Sequence, residues 1–208
     1  GKLDQQYPLF VLYNKSDTPK RPENLKKYYN VLNALVKGCK MLQKNKCKFI
    51  VIPCNTAHYW YDDLQKKINI PIISMPKEVY LDTKKNCKKN SKIGILSTEA
   101  TLSTKVYNKY FDKDFELISP RSSLQKSSVN KSIKYVKMGK IKEAERAIRP
   151  AVNYLMKIKC KKIILGCTEL PIAIFAFKSF KKIKQSKIFI DPNLLLANVS
   201  MKKYKNLK

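Results

Sequence analysis

The chain repeats one sequence pattern at an interval of 113 residues. The stretch KCKFIVIPCNTAH, residues 46–58, aligns with KCKKIILGCTELP, residues 159–171. In each copy two cysteines frame an apolar run, and polar residues follow the second cysteine. Matched lysines carry little weight in a lysine-rich chain, whereas cysteines in register indicate a true repeat. We therefore expect two related halves with the same local fold.

Strand-like and helix-like segments alternate along the chain. Apolar runs typical of strands occur at 8–14, 48–53, 71–75, 92–98, 115–119, 162–166 and 187–190. Helical patterns lie near 22–44, 57–67, 76–89, 101–112, 128–138, 140–159 and 193–205. This alternation predicts an α/β fold in which parallel sheets are flanked by helices. Together with the repeat it predicts two pseudo-symmetric domains, 1–90 plus 193–208 and 91–192, with an active site in the cleft between them.

The composition limits the class of protein. The 208 residues are 44% apolar, which is enough for a sizeable core and too much for a disordered chain. No apolar run approaches the ~20 residues of a membrane span, and no signal peptide opens the chain. We therefore expect a cytoplasmic protein with no membrane partner.

The formal charge of +29 comes almost entirely from lysines that are spread along the chain. The arginines are Arg21, Arg121, Arg146 and Arg149. Proteins that read bases or clamp phosphates usually use arginine, so we expect weak, salt-sensitive binding to polyanions and no specific nucleic-acid partner.

The six cysteines do not have the spacing of a metal site. They stand at positions 39, 47, 54, 87, 160 and 167, without a C-x-x-C pair, and the chain has one histidine. We expect no metal and reduced thiols. Cys47 and Cys160 begin apolar strands and are expected to be small core residues.

Cys54 and Cys167 both follow the end of a predicted strand, where parallel α/β units bind ligands. A helix N-terminus beside each would lower the pKa of the thiol. If the two turns face each other, one thiolate can remove an α-proton while the other thiol delivers a proton to the opposite face. The structural alternative is a pair of buried cysteines at strand ends.

The motifs PCNTAH (53–58) and GCTEL (166–170) resemble the two cysteine motifs of the aspartate/glutamate racemase superfamily. The surrounding sequence looks like the cofactor-independent aspartate racemases, which it resembles in the same order at 4–14, 70–75, 94–104, 136–141 and 190–192. The resemblance implies an amino-acid racemase that uses no cofactor and forms a homodimer. Its implied substrate is an acidic amino acid, aspartate before glutamate.

The resemblance also implies roles for particular residues. Cys54 and Cys167 match the two catalytic bases of the family. Asn55, Thr56 and Thr168 match motif positions that hold the α-carboxylate and amino group of the substrate.

Five further residues are implied to bind the substrate. Arg21 resembles an arginine that contacts the side-chain carboxylate, and Lys137 matches a lysine of similar role. Thr98 and Thr101 fit a loop of the second half that approaches the ligand. Glu169 is placed to contact either the substrate amino group or the N-terminus of its own helix.

Other readings stay open at this point. His58, one helical turn after Cys54, either orients that cysteine or packs within the helix. A glutamate racemase is expected to show GCTHYP where this chain has GCTELP, and a decarboxylase with one thiol would lack one cysteine. A non-catalytic, lysine-rich binding protein on a racemase scaffold is the alternative from a different class.

The repeat makes a prediction about the first sheet. The counterpart of residues 92–104 would begin about twenty residues before Gly1, and the resemblance implies a strand and a glycine-rich loop there. We therefore expect either a fragment of a longer protein or an inactive family member. Its first sheet should have a gap and exposed apolar strand edges, unless another segment or chain supplies the strand.

Overall fold

The computed structural model of the protein describes residues 7–21, 28–176 and 187–207. The elements of the first half are, in chain order, α1 (Tyr28–Lys44), β1 (Ile50–Val51), a 3-10 helix (Thr56–Trp60), α2 (Tyr61–Gln65), β2 (Ile72–Ile73) and α3 (Met75–Asn86). Within the described residues, no helix combines the length and apolar character that a membrane crossing requires.

The second half is longer and contains more strands. Its elements are, in chain order, β3 (Lys92–Ser97), α4 (Glu99–Ser103), α5 (Asn108–Phe111), β4 (Glu116–Ile118), α6 (Ser122–Leu124), a π-helix (Gln125–Asn130), α7 (Lys131–Lys137), α8 (Ile141–Lys157), β5 (Lys162–Gly166), α9 (Leu170–Phe175), β6 (Phe189–Ile190) and α10 (Pro192–Lys205). Helix α8 runs through Pro150 as one element.

The strands form two parallel sheets, as the alternation of elements predicts. In the first sheet β1 pairs with β2, and Ile50 lies opposite Ile72. In the second sheet the strand order is β4-β3-β5-β6. The longest pairing joins β3 to β5, from Ile93 opposite Lys162 to Ser97 opposite Gly166. The ends of β3 and β5 therefore lie side by side, just before Thr98 and Cys167.

The 113-residue repeat is present in the backbone. Helices α1 and α8 have the same length and are displaced by that interval. Lys46 and Lys159, one interval apart, both have left-handed backbone conformations, with φ of 60° and 62°. The amide of Cys47 donates to the carbonyl of Leu42, and the amide of Cys160 donates to that of Leu155. The same helix-to-strand turn thus delivers both cysteine motifs.

The second sheet is buried on both faces. On one face Ile163 and Leu165 pack in a cluster with residues of α7, α8 and α9. On the other face Ile164 packs with Ile93, Ile95 and the aromatic residues that follow α4. This two-sided burial explains why β5 has a continuous apolar run, which is the pattern of a strand covered by helices on both sides.

The last helix returns to the first half of the chain. Leu196 of α10 is buried in a cluster with Ile73 and Met75. Asp191 caps this helix, since its carboxylate accepts hydrogen bonds from the amides of Asn193 and Leu194 at 2.9 and 3.3 Å. An acidic cap followed by proline at the first helical position is a strong start signal.

The prediction of a strand at 8–14 is wrong. Residues 8–15 have no regular secondary structure, and the Leu9 and Leu12 side chains are 91% and 80% exposed. A strand needs a neighbour that pairs with its backbone, and the described residues supply none to this segment. Within the described residues the first sheet has two strands and the second has four. Part of the 4–14 motif and the start of the predicted 22–44 helix lie outside the described residues.

Two predicted helices are divided. The segment 57–67 forms a 3-10 helix followed by α2, and the segment 101–112 contains the end of α4 and, separately, α5. Lys105, between α4 and α5, has φ of 53°, a left-handed conformation that ends the first of them. Helical periodicity does not distinguish one long helix from two short ones.

Candidate active site

Cys54 lies in the turn between β1 and the 3-10 helix, where His58 holds its backbone. His58 Nε2 is 3.0 Å from the amide nitrogen of Met75, so this ring nitrogen accepts a hydrogen bond. Nδ1 therefore carries the proton and donates to the Cys54 carbonyl oxygen at 2.9 Å. Burial lowers the pKa of His58 and keeps the ring neutral. The histidine thus orients the Cys54 turn from a buried position.

Asn55 and Thr56 reach from this turn into the second half. Thr56 Oγ1 lies 2.7 Å from Thr101 Oγ1 and 3.3 Å from Thr98 Oγ1, and the Thr98 and Thr101 hydroxyls are 3.0 Å apart. Thr98 also accepts a hydrogen bond from the Thr101 amide as the cap of α4. The structure therefore brings together three threonines that the sequence assigned to the site.

Tyr107 belongs to the candidate site by its contact with Asn55, and the sequence analysis missed it. Its hydroxyl donates to Asn55 Oδ1 at 2.5 Å, and the side chain is 1% exposed. Burial raises the pKa of Tyr107, with further contributions from Asp191 and Cys167, so the hydroxyl stays protonated and lies within electrostatic reach of Cys167. No sequence signal separates this tyrosine from the other eleven, because only the fold brings it to Asn55.

The hydrogen bond from Tyr107 also orients the Asn55 amide. The tyrosine hydroxyl donates to Oδ1, which identifies the oxygen of the amide. The NH₂ group of Asn55 is therefore the donor that can serve another partner. A donor beside Cys54 is suited to hold a carboxylate. Asn55 is 4% exposed, so burial strengthens such a contact.

Cys167 follows β5 and contacts a carboxylate. Its Sγ lies 2.9 Å from Glu169 Oε2, which also accepts a hydrogen bond from Thr168 Oγ1 at 2.9 Å. Lys137 Nζ, at the end of α7, lies 3.4 Å from the other oxygen, Oε1. Four residues that the sequence assigned to the site therefore share one cluster.

The expected depression of the Cys167 pKa is wrong. Burial raises the pKa of this thiol well above its ordinary range, and the charge and hydrogen bond of Glu169 raise it further. The helix after the turn, α9, has six residues, and its N-terminal field does not offset these effects. Burial opposes ionisation of Glu169 as well, but hydrogen bonds from Cys167 and Thr168 and the charge of Lys137 lower its pKa.

Gly166 allows the two strands that carry the site to approach closely. A Cβ atom at this position would lie 3.0 Å from Ser97 Cβ and 3.3 Å from the Leu96 carbonyl oxygen. Both neighbours belong to the end of β3. A side chain here would therefore push Cys167 away from the Thr98 loop.

The two basic residues assigned to the substrate side chain lie in different places. Arg21 lines a cavity of about 260 Å³ together with Cys54, Lys15 and Thr18. Lys137 lies with Cys167 and Glu169. Among the described residues, Tyr107 contacts Asn55 in the Cys54 turn and lies within electrostatic reach of Cys167.

The fold and these turns define an α/β protein with two related halves and a cysteine turn in each. The chain matches the Asp/Glu/hydantoin racemase family over residues 1–198 and belongs to that family.

Similar proteins agree with this assignment. The chain is 25% identical over 172 residues to the broad specificity amino-acid racemase RacX of Bacillus subtilis, covering 80% of the chain and 71% of that protein. It is 29% identical over 178 residues to the glutamate racemase of a Sulfurihydrogenibium species, covering 82% of the chain and 65% of that protein. The structure of the Picrophilus torridus aspartate racemase superposes with a TM-score of 0.80 at 28% identity, covering 99% of this chain and 83% of that one. The chain thus spans about two thirds of the length of the two relatives.

Proposed function

We propose that the protein racemises an acidic amino acid without a cofactor, using Cys54 and Cys167 as the two acid/base groups. The observation that carries this proposal is the pair of equivalent cysteine turns, joined across the two halves by Tyr107 and the three threonines. Membership of a racemase family supports the reaction class.

The surroundings of Cys167 support a starting role as the proton donor. Burial and Glu169 keep this thiol protonated, so in the resting protein it is the proton donor. In one direction Cys54 takes the α-proton, which breaks the C–H bond, and Cys167 gives its proton to the opposite face of the carbanion. The reverse direction requires Cys167 to lose its proton first. Net charge and proton count are unchanged over one turnover once the two cysteines have re-equilibrated with water.

The carbanion needs electrostatic stabilisation, because an amino-acid α-proton is far less acidic than a thiol. The Asn55 amide is the donor that we assign to the α-carboxylate, with the Thr56 and Thr168 hydroxyls beside it. Donors that are fixed before the substrate arrives stabilise developing charge without the cost of reorganising the site. Tyr107 and Thr101 supply that fixation in the first half of the site.

Aspartate is the substrate that we propose first, and glutamate is the alternative. We assign the side-chain carboxylate to Arg21, which lines the same cavity as Cys54, and to Lys137, which pairs with Glu169. The name of the Picrophilus torridus relative favours aspartate, whereas several curated relatives are named glutamate racemases. A homodimer and a cytoplasmic location remain predictions from the resemblance and the composition.

The test is incubation of each enantiomer of aspartate and glutamate in D₂O, followed by mass spectrometry and chiral chromatography. Racemisation requires deuterium at the α-carbon of the product enantiomer. We expect Cys54→Ala and Cys167→Ala each to abolish inversion, because each removes the acid/base group on one face. Cys87→Ala, a half-buried cysteine outside the site, is the control.

The opposite results decide between the candidates. Near-normal turnover by either alanine variant contradicts the mechanism with two thiols. The other contrary result is that the protein binds both enantiomers of aspartate and glutamate without adding α-deuterium to any of them. That result favours the lysine-rich binding protein.

A further inference from the structure

A single carboxylate connects an exposed lysine to a buried cysteine. Glu169 Oε1 pairs with Lys137 Nζ at 3.4 Å, and Glu169 Oε2 contacts Cys167 Sγ at 2.9 Å. The Lys137 side chain is 63% exposed, whereas that of Glu169 is 18% exposed. A molecule that approaches from solvent can therefore contact the lysine while the carboxylate stays with the thiol.

The charges around Cys167 make its protonation sensitive to this lysine. Burial and then Glu169 raise the pKa of the thiol, while the positive charge of Lys137 opposes them. Within the described part of the chain, the neutral Tyr107 hydroxyl is a further titratable group in electrostatic reach of Cys167. Lys137 is thus the charge near Cys167 that a ligand can most easily neutralise.

The pair formed by Lys137 and Glu169 is suited to exchange. A partly exposed lysine–carboxylate pair at 3.4 Å contributes little to stability, because solvent screens the attraction between the charges. A ligand carboxylate can therefore replace Glu169 as the partner of Lys137 at small cost.

We propose that Lys137 and Glu169 make Cys167 responsive to the side chain of the substrate. An acidic side chain takes Lys137 away from Glu169, which then holds the Cys167 proton more firmly. Glu169 is on this view a positioning residue, and Lys137 is the residue that detects the anionic side chain. The identity of the ligand rests on the proposed function, whereas the coupling between Lys137, Glu169 and Cys167 does not.

The physical consequence is that an acidic side chain, and not a neutral one, changes the acidity of Cys167. An amino acid with a neutral side chain leaves Lys137 on Glu169, so the state of Cys167 does not change. An acidic side chain neutralises Lys137, and the carboxylate of Glu169 becomes more basic because it has lost its nearest cation. Cys167 is protonated in the resting protein, so the further rise in its pKa leaves it in the acid form and makes its thiolate, when it forms in the reverse direction, a stronger base only with an acidic substrate.

The test uses carbon-13 NMR of the whole protein labelled at the glutamate Cδ and the cysteine Cβ. Glu169→Gln assigns the Glu169 signal, and Cys167→Ser assigns the Cys167 signal. L-cysteate is the acidic probe, since its sulfonate stays charged while Glu169 titrates, and L-alanine is the neutral probe. We expect cysteate to raise the pKa of Glu169 by at least about half a unit more than alanine does.

Variants of Lys137 and Glu169 show whether the pKa changes come from the contacts between Lys137, Glu169 and Cys167 or from any change of charge. In Lys137→Met the pKa of Glu169 should already be raised, and cysteate and alanine should then act alike. Glu169→Gln should lower the pKa of Cys167 by at least about one unit, since it removes the adjacent negative charge. Lys134→Met, one turn earlier on α7 and exposed, and Glu143→Gln, exposed in the first turn of α8, are the matched controls.

Two results would overturn the proposal. One is an equal effect of cysteate and alanine on Glu169 in the unmodified protein. The other is a difference between the probes that persists in Lys137→Met. Failure of the proposed function has a different signature, because aspartate would then acquire no α-deuterium whatever the NMR titrations show.

Discussion

At the scale of single residues, Cys54 and Cys167 occupy equivalent positions of the repeat but have different surroundings. Cys54 is half-buried in a turn held by His58, whereas Cys167 is 8% exposed and contacts Glu169. In the proposed mechanism this asymmetry favours Cys167 as the resting acid. Tyr107 contacts Asn55 and lies within electrostatic reach of Cys167.

Tyr107→Phe should lower both stability and turnover. The change leaves the buried Asn55 Oδ1 without its donor, at a cost of about 1–3 kcal/mol in the free energy of unfolding. It also frees the Asn55 amide to rotate, so kcat should fall more than KM rises. Urea unfolding and steady-state kinetics measure the two effects, with the exposed Tyr29→Phe as control. Unchanged kcat would remove Tyr107 from the site.

Arg21→Ala should impair acidic substrates selectively. A charge-assisted hydrogen bond to a side-chain carboxylate contributes ~1.5–3 kcal/mol, so KM for aspartate should rise by about tenfold or more while KM for alanine changes little. Arg146→Ala, an exposed arginine of α8, is the control for loss of positive charge. Equal effects of Arg21→Ala on the KM for aspartate and for alanine would show that Arg21 does not bind the side-chain carboxylate.

At the scale of elements, β1 and β5 are copies of one strand in two environments. Ile164 of β5 is fully buried between β3 and the helices, whereas its counterpart Val51 of β1 is 37% exposed. The same local sequence therefore forms an outer strand of the first sheet and an inner strand of the second, within the described residues. Neighbouring strands, and not the strand's own residues, decide how much of it is buried.

Truncation of the two counterparts should have unequal effects on stability. Ile164→Ala removes buried methyl groups from a packed cluster and should cost ~2–5 kcal/mol in the free energy of unfolding. Val51→Ala, at an exposed position, should cost less than about 1 kcal/mol. Urea unfolding of both variants makes the comparison. A similar loss in both would mean that Val51 is covered in solution.

At the scale of the whole molecule, α10 packs on α3 and on the cluster of Ile73 and Met75. The same helix also contacts β5, and the division into 1–90 plus 193–208 and 91–192 stays a prediction. The charge of +29 acts on the entire surface, and weak, salt-sensitive binding to polyanions remains a prediction from it.

The stability of the whole molecule should fall in alkaline solution. Burial raises the pKa of the Cys39 and Cys160 thiols to about 11, from an ordinary value of 9.0. Their contribution to stability is complete below pH 9.0 and is lost as the pH rises toward 11, because the unfolded chain ionises first. Cys160→Ala should reduce this loss, measured by urea unfolding at about pH 8 and about pH 10. The half-buried counterpart variant, Cys47→Ala, is the control, and an equal reduction in both would contradict the assignment.

The sequence alone determined the features that depend on local pattern. Alternating apolar runs and helical periodicity identified the parallel α/β fold, and the repeat placed a cysteine after β1 and after β5. The resemblance to a racemase superfamily also assigned to the candidate site the three threonines and the residues that contact Glu169. These features are visible because the periodicity, turn residues and motif spacing are properties of short segments.

Only the tertiary structure decided the features that need a distant partner. The 8–14 run is as apolar as a strand but has no strand beside it among the described residues, so it remains irregular. Tyr107 meets Asn55 across 52 positions of the chain. The thiol of Cys167 has a raised pKa, against the expectation, because burial and Glu169 outweigh a short helix. Burial and electrostatic surroundings are set by which segments pack together, and short segments of sequence do not specify that.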